Sequence, residues 1–370
     1  MRIDCHGIYS PTINEKKCIN CGNCIKVCPG HEFDYFYFNE IIHHKIPENP
    51  AIGNFITAFA GQTLNKDILK KAQSGGFVST TLIYCLKEKI IDSAIVTKYS
   101  KEDPFLPEVY IARNEEDILN SVGSKYNPIP MGKMIKRILE EEGRFAFVGT
   151  SCQIQGMRKA EQQFPKLKEK ISLYIGLHCL RVFNYHYFDH FLNKIKRKKE
   201  DIQNFRFRDK AWRGWPGDIR IETKNNETIN IPGHYSRSIR PYFGNWRCHF
   251  CFDKFNEFSD ISCGDCRISK HYNGQKVSDT YYKNEGKSDI VIRTKRGKDI
   301  IDKMKDNKCI ILEEENCNEL IESVVVAEKK LGMNCFISFA KLVGLSFPSY
   351  GVRFEIGGGS KKDKIIEKLL

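Results

Sequence analysis

The sequence contains no long apolar run. None of its 370 residues lies in a stretch of 18 or more consecutive uncharged apolar residues, the length that a membrane-spanning helix needs. The first residues, MRIDCHGIYSPTINEKK, also lack the apolar segment of a secretory signal. We therefore expect no membrane span and a cytoplasmic location. Internal repeats and low-complexity tracts are absent as well. The length of 370 residues fits two or three domains, and a hydrophobic content of 41% predicts a globular protein.

The sequence also lacks the motifs of two large classes of ligand. Its formal net charge is +13, but no nucleic-acid-binding motif accompanies the charge, so we expect no nucleic-acid partner. Its 10 histidines show no spacing typical of a metalloprotease or a histidine-containing zinc site. Two interpretations of the charge stay open: a solvated lysine-rich surface, or a basic cleft for an anionic ligand such as a dinucleotide.

Cysteine, by contrast, is abundant. In a reducing compartment, 15 cysteines indicate metal or cluster ligation rather than disulfides. Within KKCINCGNCIKVCPG, residues 16–30, Cys18, Cys21, Cys24 and Cys28 have the spacing of one half of a bacterial ferredoxin. A zinc knuckle usually has two separated cysteine pairs instead. The spacing therefore predicts a [4Fe–4S] cluster.

The second half of such a ferredoxin is missing. In two-cluster ferredoxins the fourth cysteine of each motif binds the other cluster, and this chain has no second copy of the motif. The fourth ligand of the cluster held by Cys18, Cys21 and Cys24 is therefore open. The candidates are Cys5, Cys28, Cys263 and Cys266. A further cluster built from these residues stays an alternative.

Four more cysteines are distributed along the chain. Cys152 in GTSCQIQGMRK and Cys179 in GLHCLRVF each follow an apolar segment that reads as a buried strand, and WRCHFCFDKF contains Cys248 and Cys251. Strand ends lie on the edge where open α/β sheets collect their functional groups. These four thiols could jointly hold a second [4Fe–4S] cluster. The spacing alone leaves the alternative that Cys152 and Cys179 are buried small apolar residues.

Amino-acid composition and hydrophobic pattern divide the chain into three parts. Residues 1–50 are rich in cysteine and proline and predict a small ferredoxin-like module with a linker. Residues 51–300 alternate apolar strands with amphipathic helices, which predicts an α/β (mixed α+β) domain with a mixed sheet flanked by helices. Residues 301–370 predict a C-terminal helical extension that ends in a charged helix after a glycine-rich hinge.

Several segments together resemble the family of coenzyme F420 hydrogenase/dehydrogenase beta subunits. They are AQSGGFVSTTLIYCLKEKIID, VGSKYNPIP, GTSCQIQGMRKA, GLHC and CHFC…FSDISCGD, and they cover roughly residues 55–300. The resemblance implies a flavoprotein that binds FAD and one [4Fe–4S] cluster. It also implies that Cys152, Cys179, Cys248 and Cys251 hold that cluster. Cys263 and Cys266, in CGDC, depart from the common pattern of the family.

The resemblance further implies which residues bind the flavin. Ser74, Gly75 and Gly76 precede a predicted helix, where backbone amides can meet a phosphate, although such a segment alone is an ordinary turn. The other implied residues are Ser124, Lys125, Tyr126, Thr150, Ser151 and Gln153. A basic and aromatic segment could contact an anionic tail through Arg206, Arg208, Lys210 and Arg213. The alternative is an aromatic hairpin core with a solvated basic face.

We therefore expect a flavin-dependent oxidoreductase that exchanges hydride with coenzyme F420 and passes single electrons to a redox partner protein or subunit. FAD is expected to link hydride exchange to single-electron transfer, because it can take part in both. We expect two [4Fe–4S] clusters, or three if the unassigned cysteines form another. The alternatives are a ferredoxin-linked FAD reductase of another substrate and a non-catalytic electron-transfer subunit. The direction of electron flow and the oligomeric state, homo- or hetero-oligomeric, stay open.

Overall fold

The computed structural model describes residues 2–267, 285–316 and 326–355. Its strands are β1 Arg2–Ile3, β2 Tyr9–Ser10, β3 Thr57–Thr63, β4 Ser93–Tyr99, β5 Pro107–Ala112, β6 Phe145–Thr150, β7 Ile171–Leu177, β8 Ile202–Asp209, β9 Asp218–Thr223, β10 Thr228–Ile231, β11 Ile261–Asp265, β12 Ser288–Ile292 and β13 Ile310–Glu315. Its helices are α1 Asn23–Lys26, α2 Tyr35–His43, α3 Lys66–Lys71, α4 Phe77–Lys87, α5 Glu115–Ser121, α6 Met134–Glu140, α7 Ser151–Gln163, α8 Pro165–Lys170, α9 His186–Ile195, α10 Gly233–Phe243, α11 Lys295–Asp306 and α12 Val326–Leu342.

An eight-stranded mixed sheet organises the molecule. Its strand order is β13-β3-β12-β11-β7-β6-β4-β5. The four central strands β4, β6, β7 and β11 run parallel, and the outer strands are antiparallel to their neighbours. Phe145, Ala146 and Phe147 of β6 are all fully buried, as expected of a central strand covered on both faces. The predicted mixed sheet flanked by helices is confirmed.

Local sequence signals explain where several elements begin. Asn65 caps α3, because its side chain accepts hydrogen bonds from the N–H groups of Asp67 and Ile68. At the start of α7, the Thr150 N–H donates to Gln153 Oε1 at 2.8 Å, as in a capping box. α7 therefore begins directly at the end of β6. This tight strand–helix junction fixes the position of Cys152 in the first turn of α7.

Two apolar cores lie on opposite faces of the sheet. One packs α4, α5 and α11 against residues such as Leu173 and Ile290. The other packs α6, α7 and α8 against residues such as Phe147 and Tyr174, and it includes Phe33 and Phe38 from the N-terminal region. Phe33 and Phe38 stack with ring centroids 4.3 Å apart. The N-terminal region is therefore anchored in a core that it shares with the large sheet.

The basic and aromatic segment forms a separate three-stranded sheet in the order β10-β9-β8. Phe205 and Phe207 of β8 belong to a third apolar core together with α9, and Trp215 is fully buried. The hairpin predicted around ETKNNETINI is the antiparallel pair β9 and β10. Much of the aromatic pattern therefore belongs to a hairpin core, while Trp212 stays 51% exposed.

The region after residue 300 differs from a purely helical extension. Helix α11 crosses that predicted boundary, and β13 pairs with β3 from Ile310↔Thr63 to Glu315↔Ala58. The physical reason is that β13 covers the otherwise open edge of β3. Helix α12 follows within the described part of the chain. The charged helix predicted at the end of the sequence lies outside the described residues. Among the helices described, none has the length and apolarity to cross a bilayer.

Candidate functional site

The carboxyl ends of the four parallel strands form one edge of the sheet. Tyr99, Thr150, Leu177 and Asp265 are the last residues of these strands, and Thr150 and Cys263 both pair with Leu177. Open α/β sheets place their ligands at such an edge. The segments that follow β6, β7 and β11 supply five of the residues predicted from the sequence, Ser151, Cys152, Gln153, Cys179 and Cys266.

Four thiols converge near this edge. Cys152 lies in α7, Cys179 follows β7, and its N–H donates to Lys254 O at 3.0 Å. Cys248 lies in a short 3-10 helix, Trp246–Phe250, and Cys251 follows directly. The Cys152 thiol keeps exposed surface, yet the surrounding protein and then the Cys251 and Cys248 thiols raise its pKa to about 12. The fold thus brings the predicted tetrad together.

Lys329 supplies a cation beside these thiols. Its Nζ donates to Cys179 O at 2.9 Å and to Leu180 O at 3.0 Å. Burial opposes the charge on Lys329, but the thiols of Cys251, Cys179 and Cys248 outweigh it and raise the pKa of the ammonium. No sequence motif marks this lysine, because it lies 150 residues after Cys179. Only the position of α12 reveals it.

The ferredoxin-like motif is exposed. Cys18, Cys21, Cys24 and Cys28 all have solvent-accessible thiols. Gly22 has φ +70° and precedes α1, so the tight turn uses a conformation that glycine adopts at little cost. The structure therefore forms a compact loop in which three of the cysteines lie within seven residues.

Helix α7 connects the two sets of cysteines. A Cβ atom built at Gly156 would contact Pro29 Cδ at 3.5 Å, and Lys159 Nζ donates to Cys28 O at 3.3 Å. Tyr350, whose hydroxyl donates to Phe250 O at 2.8 Å, lies near both sets. Burial raises its pKa, and the thiols of Cys251, Cys152 and Cys28 add to the shift. The N-terminal motif and the tetrad are therefore neighbours.

The Ser74–Gly76 loop lies at the same sheet edge. The Ser74 hydroxyl donates to Lys287 O, and the Gly75 N–H donates to Ser288 Oγ at 3.1 Å. A Cβ atom at Gly75 would lie 2.4 Å from Gly61 O, so close packing on β3 already requires glycine there. Gly76, with φ +72°, precedes α4, whose N-terminus has no side-chain cap. Amides at such an uncapped end can bind an anion.

The Ser124–Tyr126 segment packs against this loop. The Ser124 N–H donates to Gln73 Oε1, which adjoins Ser74. Lys125 Nζ donates to Ser121 O at 2.7 Å and to Gly123 O at 2.8 Å. Burial, with a smaller contribution from Arg206, lowers the pKa of Lys125 to about 7. The predicted flavin segments Ser74–Gly76 and Ser124–Tyr126 are thus adjacent.

Buried polar groups without partners surround Tyr126. Within the described residues, the Tyr99 hydroxyl, both polar atoms of the Asn127 amide, Arg208 Nη2 and Arg240 Nε form no hydrogen bond. The Arg240 guanidinium lies 5.5 Å from the Tyr126 ring centroid, and Arg208 Nη1 lies 3.4 Å from the Tyr126 hydroxyl. Buried polar groups nearly always have partners. The cluster is therefore suited to a polar ligand, and sequence reasoning missed Tyr99, Asn127 and Arg240.

The residues of the third predicted flavin segment, Thr150, Ser151 and Gln153, have different roles. Thr150 and Gln153 form the cap of α7, and Gln153 Nε2 also donates to Ile129 O at 3.4 Å. The Ser151 hydroxyl is buried and has no partner among the described residues. Ser151 is thus the member of this segment that stays available to a ligand.

The basic residues predicted to contact an anionic tail have different roles. Arg213 forms two hydrogen bonds with Asp218, of 3.0 and 2.6 Å, and Arg206 is largely exposed. Lys210 Nζ donates to the carbonyls of Leu69 and Ser74 at 2.8 and 3.4 Å. Burial lowers the pKa of Lys210 to about 8. Lys210 therefore supports the Ser74 loop.

The remaining candidate cysteines lie elsewhere. The backbone carbonyl of Cys5 is 3.0 Å from the His186 ring nitrogen Nε2. Cys263 belongs to the apolar core, and its thiol lies beside Ser288 and Asp289. Cys266 Sγ is 3.5 Å from Glu315 Oε1. Cys263 and Cys266 are thus buried, unlike the exposed Cys28, whereas Cys5 is held beside α9 by its backbone carbonyl.

Comparison with protein-family models decides the family. The N-terminal model of the coenzyme F420 hydrogenase/dehydrogenase beta subunit matches residues 58–136, and the C-terminal model matches residues 142–317. A 4Fe-4S binding domain model matches residues 11–31. The chain belongs to the family of coenzyme F420 hydrogenase/dehydrogenase beta subunits. The resemblance found in the sequence is confirmed.

Named relatives in this family share about a quarter of the sequence. Coenzyme F420 hydrogenase subunit beta of Methanosarcina barkeri is 27% identical, covering 68% of this chain and 80% of the relative. The protein of the same name in Methanococcus voltae is 27% identical, covering 75% and 90%. A subunit of the F420H2 dehydrogenase of Methanosarcina mazei is 26% identical, covering 85% and 78%.

A solved structure has the same fold. One chain of the F420-reducing [NiFe] hydrogenase complex from Methanosarcina barkeri superposes with a TM-score of 0.60 and 22% identity, covering 80% of this chain and 94% of that chain. This member of the F420 hydrogenase/dehydrogenase family thus combines the beta-subunit domain with a [4Fe–4S] motif suited to electron transfer.

Proposed function

We propose that this chain exchanges hydride with coenzyme F420 through FAD and passes single electrons through two [4Fe–4S] clusters to a partner protein. The observation that carries the proposal is the arrangement at one sheet edge. There the Phe183 N–H donates to Tyr126 O at 2.6 Å, and the neighbouring Val182 backbone lies beside the Cys248 thiol of the tetrad. On the other side, Tyr350 lies beside both the tetrad and Cys28 of the ferredoxin-like motif. Such an order suits a conversion from two-electron to one-electron transfer.

The tetrad fits a [4Fe–4S] cluster. Cys152, Cys179, Cys248 and Cys251 supply the four thiolates that such a cluster needs. Lys329 and the N-terminus of α7 place positive charge beside them, which stabilises an anionic cluster. A neighbouring cation and backbone dipole would also adjust the reduction potential.

The polar cluster around Tyr126 fits the flavin. Lys125 and the uncapped N-terminus of α4 suit the pyrophosphate. Asn127, Ser151 and Arg208 offer buried hydrogen-bonding atoms that have no other partner in the described chain. Bound FAD would supply the exchange between hydride and single electrons. The chain's own residues would orient it and keep its reactive edge near the tetrad.

Cys28 completes the N-terminal cluster in this proposal. Cys5 contacts His186, while Cys263 and Cys266 are buried in and beside the large sheet. Cys28 lies on the loop of the motif itself and is exposed. It therefore joins Cys18, Cys21 and Cys24 as the fourth ligand.

The partner would dock over the N-terminal motif. Ile19 and Ile25 flank the cysteines and are 84% and 54% exposed. Exposed apolar side chains beside a redox centre suit a protein contact. The relatives are named as subunits of hydrogenases and dehydrogenases, which supports a subunit or a redox protein as the partner.

Anaerobic reduction assays test this function. The purified protein is mixed with reduced F420, NADH or NADPH, and flavin absorbance and viologen reduction are followed. We expect bound flavin that is reduced by reduced F420, with electrons appearing on the viologen. Flavin reduced only through ferredoxin would favour a reductase of another substrate. Protein that contains clusters but no flavin would indicate an electron-transfer subunit.

A further inference from the structure

Three buried donor groups converge away from the proposed clusters. Cys266 Sγ and one carboxylate oxygen each from Asp289 and Glu315 all lie within 4.8 Å of one another. Cys266 and Asp289 have no exposed surface, and Glu315 is 8% exposed. None of the three is needed by the tetrad, by the flavin pocket or by the N-terminal cluster proposed above.

The strand pairing explains why these groups meet. Strand β3 lies between β12 and β13, with Asp289 opposite Ala60 and Glu315 opposite Ala58. The methyl side chains of the two alanines leave room for carboxylates from both flanking strands to approach each other. Cys266 follows β11, and its N–H donates to Lys287 O at 3.0 Å. Three strands therefore contribute one donor each.

The side chain of Asp289 has few hydrogen-bonding neighbours in the part of the chain that the structure describes. Ile290 points into the core on one face, so its neighbour Asp289 faces the other side of the sheet. Neither oxygen of Asp289 meets hydrogen-bond geometry within the described residues. The Cys266 thiol donates to Glu315 Oε1 at 3.5 Å, and its contact with Asp289 partly offsets the rise in the pKa of that carboxyl group.

The charge of this group is also poorly balanced. Burial, and then the Glu315 carboxylate, raise the pKa of Asp289 well above its usual range. Arg267 acts in the opposite direction, but its side chain is 43% exposed and lies 3.9 Å from Asp265. A buried pair of carboxylates is costly unless protons or a cation compensate it. A divalent cation would compensate the charge and also bind the Asp289 oxygens, which meet no partner at hydrogen-bond geometry among the described residues.

We propose that Cys266, Asp289 and Glu315 bind one zinc ion that ties the ends of β11, β12 and β13 together. Zinc accepts a cysteine thiolate together with carboxylate oxygens. Harder cations such as magnesium and calcium prefer oxygen ligands alone. The described residues provide three ligands, and a water molecule would complete the tetrahedron.

Metal analysis of the full chain tests the site. Protein purified anaerobically with its clusters is analysed for zinc by mass spectrometry, and zinc X-ray absorption reports the ligands. We expect about one zinc per chain, with one sulfur ligand at about 2.3 Å and oxygen ligands at about 2.0–2.2 Å. The site variants are Asp289→Asn and Glu315→Gln. The matched control is Glu313→Gln, on the same strand, whose 45% exposed side chain pairs with Lys287.

Asp289→Asn and Glu315→Gln should lose the zinc while iron and sulfide stay at wild-type values, and Glu313→Gln should keep the zinc. Wild-type protein without zinc after incubation with zinc chloride would overturn the proposal, because protons would then balance the carboxylates. Zinc with only sulfur ligands would overturn it as well, because the metal would occupy a cluster site. If the site variants fail to fold, the wild-type absorption spectrum still decides the question.

Discussion

The two cysteine sets proposed to hold clusters are organised in opposite ways. The N-terminal motif draws its cysteines from residues 18–28 of one exposed loop. The tetrad draws its cysteines from α7, from the segment after β7 and from the 3-10 helix Trp246–Phe250 with its next residue. A contiguous motif depends on local geometry, whereas the tetrad exists only when the large sheet has formed. The first set can therefore be recognised from spacing alone, and the second cannot.

The largest effect should come from removing a ligand of the tetrad. Removing a residue that only supports a metal ligand typically costs about 10- to 100-fold in metal affinity or activity. Cys152→Ser removes a ligand itself, so it should reduce electron transfer from reduced F420 to viologen by at least about 100-fold. Flavin reduction should persist. Cys309→Ser, at a half-buried thiol before β13, is the control and should transfer electrons normally. Normal transfer in Cys152→Ser would mean that Cys152 is not a ligand of the cluster.

Removal of Cys28 should affect the N-terminal cluster and leave the tetrad cluster intact. Iron analysis of wild-type protein should give about eight irons per chain, because each of the two cubes holds four. Cys28→Ser should lower this number and alter the electron paramagnetic resonance signal of the N-terminal cluster, while flavin reduction continues. Cys5→Ser is the matched control at another exposed cysteine. If Cys5→Ser loses the cluster and Cys28→Ser keeps it, the assignment of the fourth ligand is wrong.

Binding of FAD should depend on pH through Lys125. Its lowered pKa of about 7 means that the free protein loses this proton as the pH rises above 7. A bound pyrophosphate favours the charged amine, so binding takes up a proton. Affinity should therefore fall between pH 7 and 9, by at most about tenfold per pH unit.

Titration of apoprotein with FAD measures this dependence. Lys125→Met should bind FAD weakly and without that slope. Lys125→Arg, which stays charged, should also lack the slope but bind more tightly than Lys125→Met. An unchanged slope in Lys125→Met would place the titrating group elsewhere.

The smallest effect should come from the cation beside the tetrad. Lys329→Met removes one positive charge, worth about 1 kcal/mol at a separation of about 4 Å when the interaction is screened as in bulk water. The reduction potential of the tetrad cluster should fall by roughly 40 mV for a one-electron couple, while the N-terminal cluster changes less. A redox titration followed by electron paramagnetic resonance measures both. An equal shift in the reduction potentials of both clusters would show that the charge of Lys329 does not act mainly on the tetrad cluster.

The sequence predicted the elements whose signals are local. The buried strand RFAFVGT, the Asn65 cap and the ETKNNETINI hairpin are all present. It could not predict the polar groups around Tyr126, because Tyr99 and Arg240 come from distant segments, and the adjacent Asn127 looks ordinary in isolation. The role of Gly75 was also hidden, since its requirement for glycine comes from the carbonyl of Gly61 on a neighbouring strand. Likewise, β13 joins the sheet because β3 has an open edge, which no pattern within residues 310–315 records.

The central claim is that electrons from a hydride donor pass through the tetrad to the N-terminal cluster. Rapid mixing with reduced F420, followed by freezing and electron paramagnetic resonance, tests it most directly in wild-type protein and Cys152→Ser. In wild-type protein the signal of the reduced N-terminal cluster should develop after the flavin is reduced. In Cys152→Ser the flavin should be reduced while that signal stays absent. Reduction of the N-terminal cluster at the wild-type rate in Cys152→Ser would contradict the account.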